Sequence, residues 1–113
     1  MNIIDENDVK LKEFMEAAEG QWIDIKAGNS KAGNAKVRAA NKIVTNWAKK
    51  GLVEKLLSPL LAHESAEIRL AAAAHLINHG CKEEAVAVLR NLINEPGLVS
   101  SMAITVLRVN KAL

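Results

Sequence analysis

The sequence predicts an all-α fold, and three features support this class. Half of the residues are hydrophobic and a quarter are charged, which is the composition of a folded globular chain. Apolar residues recur at the three- and four-residue spacing of helices, and β-branched residues do not alternate with polar ones over a useful length. Glycines and two prolines punctuate these periodic segments. At 113 residues we expect a single domain that covers 1–113.

Two long helices are predicted in the N-terminal half. Helix 1 begins near Asn7 or Asp8, both good N-caps, and runs to about Ala27. Its apolar stripe, with Phe14 beside it, consists of Leu11, Met15, Ala18, Trp22 and Ile25. After a turn, helix 2 continues to Lys50. Its inward residues are Val37, Ala40, Val44 and Trp47.

Four shorter helices complete a predicted total of about six. Helix 3 covers about 52–62, and Pro59 lies too far inside it to be a first-turn proline. The proline therefore either kinks this helix or divides it into two short turns. Helix 4 spans 65–79, and the last two helices span about 82–94 and 98–112.

An internal period relates these helices. Val37-Arg38 precedes Ile68-Arg69 by 31 residues. Periods of this size are typical of helical hairpins, which bury their apolar faces only by stacking on one another. We therefore expect a short right-handed α-α superhelix of three antiparallel hairpins. The hairpins are 1–50, 52–80 and 82–112.

The middle hairpin is similar to a HEAT repeat. Segment 57–61 places leucines on one helical face, a polar turn follows, and Ile68-Arg69 precedes small residues and Leu76. The resemblance implies a HEAT/ARM-like superhelix that presents a binding surface. It also implies a structural Arg69, because the Arg at this position of HEAT repeats bonds to an Asp of the preceding turn. His63 stands near the place of that Asp in this chain.

Charge is segregated along the chain, although the net charge is only +2. Residues 1–24 contain seven acidic residues against two lysines, and residues 25–55 contain eight basic residues against one glutamate. Two interpretations are open. The segments are neighbouring helices whose solvent edges attract each other, or one of them docks an oppositely charged partner.

Residues 19–80 resemble a family of small bacterial HEAT-like proteins of unassigned function. The resemblance lies in GNSK at 28–31, ANKI at 40–43, LLSPLLAH at 56–63 and Ile68-Arg69. Some members of this family look like immunity proteins of contact-dependent or polymorphic toxin systems. The resemblance implies a non-catalytic protein that binds a cognate secreted toxin, with nucleases among the candidates, and covers its active site.

The charge pattern suggests which residues would contact such a partner. A basic nuclease groove would meet the acids of helix 1, which are Asp5, Asp8, Glu16, Glu19 and Asp24. An acidic partner would instead meet the bases of helix 2, which are Lys36, Arg38, Lys42 and Lys49. A nucleic acid is an alternative partner of helix 2, and it would contact Lys31, Arg38, Lys42, Lys49 and Lys50. It is favoured less, because helices 4 and 6 do not continue the charge and exposed aromatics for base stacking are missing.

A general protein-protein adaptor or homo-oligomer is a third possibility, and it depends on helix 6. This helix ends the predicted stack, so its outer apolar side chains would need a partner to bury them. These side chains are Val106, Leu107, Val109 and Leu113. When free, the protein is expected to be a monomer or a weak dimer.

No residue set points to an enzyme, a cofactor or a metal site. His75 and His79 are four residues apart, and His63 and Cys81 flank them, but no carboxylate has the spacing of a zinc protease motif. Cys81 opens helix 5, whose N-terminus would lower the pKa of the thiol. Without an assignable catalytic base, this cysteine does not indicate an enzyme.

The sequence also predicts a cytoplasmic protein. The first residues lack the basic and apolar regions of a signal peptide. No stretch approaches the roughly twenty apolar residues of a membrane span. A single cysteine excludes an internal disulfide and suits a reducing compartment. We therefore expect no contact with a membrane.

Overall fold

A computed structural model describes residues 5–112. These residues form six α-helices, a 3-10 helix and no β-strand, which confirms the predicted all-α class and number of helices. The α-helices are α1 (Glu6–Lys26), α2 (Ser30–Lys49), α3 (Val53–Leu57), α4 (Ala66–Leu76), α5 (Lys82–Leu92) and α6 (Leu98–Val109). Within the described range, each helix is too short or too polar to cross a membrane.

The chain divides after Lys50 into two compact units. The N-terminal unit contains α1 and α2. The C-terminal unit contains α3, a 3-10 helix over Ser58–Ala62, and α4 to α6. A single domain over 1–113 and a right-handed superhelix along the whole chain stay predictions.

The N-terminal unit is an antiparallel helical hairpin with a capped turn. The Asp5 carboxylate caps α1 by accepting a hydrogen bond of 2.8 Å from the backbone N–H of Asn7. The Asn29 side chain caps α2 by accepting one of 3.1 Å from the N–H of Ala32. Between the helices Gly28 has a φ of +81°, a conformation that glycine adopts at little cost. Helix α1 starts slightly earlier than predicted, because Asp5 provides its cap.

Aromatic packing joins the two helices of this hairpin. Phe14 is fully buried, and its ring centroid lies 6.2 Å from that of Trp47. Phe14 is therefore central to the apolar stripe and not beside it. Ile25, predicted for the apolar stripe, and Val37, predicted to face inward, are only partly covered, since they are 38% and 37% exposed. Ile25 packs against Gly33, which has no side chain to cover it, and Val37 lies at the edge of the inward face of α2.

The C-terminal unit contains two neighbouring hairpins. In the first, α3 and the 3-10 helix precede α4, and Pro59 lies in the first turn of the 3-10 helix. The proline therefore divides predicted helix 3 into two short helices, which was one of the two predicted alternatives, the other being a kink. In the second hairpin, α5 packs on α6. Helix α4 contacts both α5 and α6, and its Ala72 and Ala73 are fully buried, so small side chains let these helices approach closely.

Arg69 joins the two hairpins of the C-terminal unit. Its Nη1 donates hydrogen bonds to the carbonyl oxygens of His63 (2.7 Å) and Glu64 (3.0 Å) in the turn before α4. Its Nη2 donates to Oε1 of Glu95 (3.3 Å) in the loop before α6. These bonds support the predicted structural role of Arg69. Backbone carbonyls take the place of the Asp found in HEAT repeats.

We expect Arg69→Met to lower the free energy of unfolding by about 1.5–3 kcal/mol, because it removes hydrogen bonds made by a charged donor. Urea denaturation followed by far-UV circular dichroism measures the loss. Arg108→Met is the matched control, since Arg108 is exposed on α6 and its side chain makes no hydrogen bond or salt bridge within the described residues. Equal effects of the two substitutions would show that the Arg69 bonds do not stabilise the fold.

Candidate functional site

The solvent side of α1 carries carboxylates beside an exposed isoleucine. Ile23 is 69% exposed, and Glu19 and Glu16 are exposed one and two turns before it. At 3.6 residues per turn, these three side chains point in the same direction, away from buried Phe14 and Ala18. We call Glu16, Glu19 and Ile23 the acidic face; the exposed Lys12 and Lys26 lie on the same side of the helix, four residues before Glu16 and three after Ile23. An apolar side chain with a charged rim is typical of a protein-protein interface.

The other predicted acids of α1 have different positions. Asp8 is exposed and lies in line with Glu19, three turns nearer the N-terminus. Asp5 is engaged as the N-cap of α1. Asp24 is half-buried and accepts a hydrogen bond from Nζ of Lys36. Gly20 leaves room for the Lys36 stem, because a Cβ at this position would lie 2.9 Å from Cδ of Lys36. Of the five predicted acids, Asp8, Glu16 and Glu19 thus face solvent together.

The solvent side of α2 is a row of cations without any carboxylate. Lys31, Arg38, Lys42 and Lys49 follow one another at spacings of 7, 4 and 7 residues, which places all four on one helical face. All four are exposed, and no Asp or Glu occurs in α2. We call these residues the cationic ridge, which is about 27 Å long at 1.5 Å per residue. In the described part of the chain, no salt bridge involves them.

The sequence prediction for α2 was partly different from this ridge. It included Lys36, whose ammonium group turns toward α1 and pairs with Asp24. The set predicted for an acidic protein partner lacked Lys31, whereas the set predicted for a nucleic acid included it. The seven-residue spacing from Lys31 to Arg38 places both side chains on the same face.

A cavity of about 210 Å³ lies where α1 begins and α2 ends. Lys10, Lys49 and Lys50 line it with Asn46, and Trp47 contributes an apolar wall. Lys10 also pairs with Glu13 at 3.2 Å, and one carboxylate, that of Glu6, reaches the cavity. Because Lys49 belongs to both features, the cavity continues the cationic ridge around the end of the hairpin. Its net positive lining suits an anionic group.

Helix α6 presents exposed apolar side chains in the C-terminal unit. Leu98, Met102 and Val109 are 42%, 41% and 73% exposed. Of the residues predicted for an adaptor surface, Leu107 is fully buried and Leu113 lies outside the described residues. The exposed row on α6 therefore differs from the predicted one.

The histidines and the cysteine do not form a site in the described chain. Among residues 5–112, no three His, Cys, Asp or Glu side chains are placed to hold a metal ion. Cys81 is 6% exposed, and burial raises the pKa of its thiol, as does its hydrogen bond with Glu54. The predicted lowering of this pKa by the helix N-terminus is wrong. Loss of hydration and the carboxylates of Glu54 and Glu84 all act in the direction of a higher pKa.

Comparisons with known proteins do not place this chain in a family. No protein-family model matches the chain, and no curated protein or solved structure matches it significantly. Its resemblance to HEAT-like and immunity proteins stays a prediction.

His75 of α4 leads to a prediction about pH. Burial, and then the charge of His79, lower the pKa of His75 from 6.5 to about 4. A lowered histidine pKa means that the folded state disfavours the protonated ring. The stability from this group is therefore complete above pH 6.5 and is lost as the pH falls toward 4. The loss approaches about 3 kcal/mol. In an NMR titration, the imidazole of His75 should change charge near pH 4.

His75→Gln removes this titration and should reduce the loss of unfolding free energy between about pH 7 and about pH 4.5. His79→Gln is the comparison variant, because His79 is exposed and its removal keeps the larger cause of the lowered His75 pKa and takes away only the smaller one, so most of the loss should remain. A titration midpoint near 6.5 for His75 would contradict the prediction.

Proposed function

We propose that this protein is a non-catalytic binding protein whose acidic face docks on a protein partner. The observation that carries the proposal is the exposure of Ile23 beside Glu16 and Glu19 on one side of α1. Burying Ile23 in a complex would contribute apolar free energy of about 1.5–3 kcal/mol. The surrounding carboxylates would select a partner with a positively charged surface.

The partner that fits best is a secreted toxin with a basic substrate groove, as in a nuclease. Support for a toxin comes from the resemblance of residues 19–80 to small HEAT-like proteins that include immunity proteins. Support for a basic groove comes from the carboxylates, which would occupy the positions that a nuclease offers to phosphates. In this proposal the protein acts in the cytoplasm of the cell that it protects.

The hairpin suits inhibition because it is already ordered before it binds. Both helices are capped, and Phe14 and Trp47 pack between them. A pre-organised surface loses little conformational freedom on association, so more of its interaction free energy appears as affinity. We expect a sub-micromolar complex whose association slows as salt is added, because salt screens the attraction between the charged surfaces.

The test uses the product of the gene that neighbours this one in its native genome. If that product is a toxin, co-expression of the present chain should restore growth, and calorimetry should give the dissociation constant of the complex. Glu16→Gln with Glu19→Gln, and separately Ile23→Ser, should each weaken the complex about tenfold or more. Their effect on folding is expected to be small, since all three side chains are exposed.

Glu83→Gln with Glu84→Gln is the matched control, because it removes the same charge from exposed positions of α5. It should leave affinity and protection unchanged. Protection that survives the substitutions in α1 but fails in this control would overturn the assignment of the acidic face. A neighbouring gene without a toxin domain would count against the toxin as partner.

A further inference from the structure

The cationic ridge lacks the internal partners that would explain it. The two helices of the hairpin share one described ion pair, Lys36 with Asp24, and it lies off the ridge. The four ridge side chains extend into solvent along about 27 Å without a carboxylate between them. A uniform row of exposed cations attracts a partner that repeats its negative charge along its length.

The chemistry of the ridge favours a nucleic acid over an acidic protein. A protein interface has an apolar centre, but no large exposed apolar side chain interrupts the row from Lys31 to Lys49. Val37, the exposed apolar residue of α2, lies about 100° around the helix from Arg38. The neighbouring side chains on this side are small or polar, including Ala35 and Asn46. Such a surface lets phosphates approach closely and supplies neutral hydrogen-bond donors.

The cavity extends this surface at one end. It adds Lys10 and Lys50 to Lys49, and the amide of Asn46 lies between the ridge and the cavity. One carboxylate, that of Glu6, leaves its lining net positive. The concave shape and the ammonium groups of Lys49 and Lys50, with that of Lys10 paired to Glu13 beside them, suit a single phosphate group at the end of the row.

We propose that the cationic ridge binds the phosphate backbone of a nucleic acid strand and that the adjoining cavity holds one further phosphate. Backbone contacts carry no base readout, so the binding is independent of nucleotide sequence. Trp47 is 2% exposed and does not offer a stacking platform. This activity is additional to the proposed docking of a protein on α1, because the ridge lies on α2 and the cavity is lined by none of Glu16, Glu19 and Ile23.

Fluorescence anisotropy with a labelled single strand of about 20 nucleotides tests the proposal, with the matching duplex as a second probe. Four to five neutralised phosphates predict a slope of about −3 for the logarithm of the single-strand association constant against the logarithm of salt concentration. Strands of different sequence should bind with similar affinity. Absence of binding to both probes at about 50 mM salt would overturn the proposal.

Lys42→Gln with Lys49→Gln should weaken binding at least tenfold and reduce the slope by about 1 to 2. Lys12→Gln with Lys26→Gln is the matched control, because it removes the same charge from exposed positions of α1. An equal loss in the control would show that net charge alone drives binding, and the ridge would not be a site. Circular dichroism of each variant checks that the helices are retained.

Two further measurements separate the parts of the proposal. Lys50→Gln should reduce the slope by about 1, and an unchanged slope would exclude the cavity as a phosphate site. Poly-glutamate of matched charge should compete weakly for the ridge. If it competes as well as the nucleic acid, the ridge is a docking surface for acidic proteins and the proposal fails. The ridge and cavity substitutions leave Glu16, Glu19 and Ile23 unchanged, so a failure to bind nucleic acid leaves the proposal for α1 unaffected.

Discussion

The mutual burial of α1 and α2 determines where the functional side chains of the N-terminal unit point. Each helix has one apolar face, and the contact between Phe14 and Trp47 marks where those faces meet. A helix that buries one face must expose the opposite one. Glu16 and Ile23 on α1, and Arg38 and the other ridge cations on α2, are therefore directed away from the shared core and away from each other. The positions of both candidate surfaces follow from this single packing contact.

The segregation of charge in the sequence becomes a separation across the hairpin. Attraction between neighbouring helices explains one described pair, Lys36 with Asp24, whose approach Gly20 permits. It does not explain the cations from Lys31 to Lys49, which lie on the opposite side of α2 from that core. The side of α1 carries three exposed carboxylates with two lysines among them, and the side of α2 carries cations alone, so the field of a charged partner turns the hairpin before contact. A basic groove would attract the side with Glu16 and Glu19 and repel the ridge. The same charges would therefore favour both a basic partner and the orientation in which α1 faces it.

Features that depend on neighbours in sequence could be predicted, and features that depend on tertiary contacts could not. Helical spacing predicted the six helices, and the chemistry of proline predicted the division at Pro59. The same spacing fits Phe14, which lies three residues after Leu11 and four before Ala18, but its ring contact with Trp47 depends on the other helix and could not be predicted. For Cys81, the helix N-terminus suggested a lowered thiol pKa, but the fold buries the thiol beside Glu54 and raises it. In the candidate surfaces, sequence could identify charged residues but could not separate Lys36, which pairs within the hairpin, from the exposed ridge.

The exposed charges and Ile23 contribute little to folding, and this is the strongest reason to connect them with binding. Repulsion between ridge cations, which are about 6 to 10 Å apart along the helix, is weak because water and salt screen exposed charges over about 8 Å. Exposed Ile23 makes no apolar contribution to the core and gains free energy only when a partner covers it. A helix that needed only to be soluble would be equally well served by mixed charges, whereas α2 contains five cations and no carboxylate. The pattern on these faces is thus not required by the fold, and it is the reason for proposing that they bind partners.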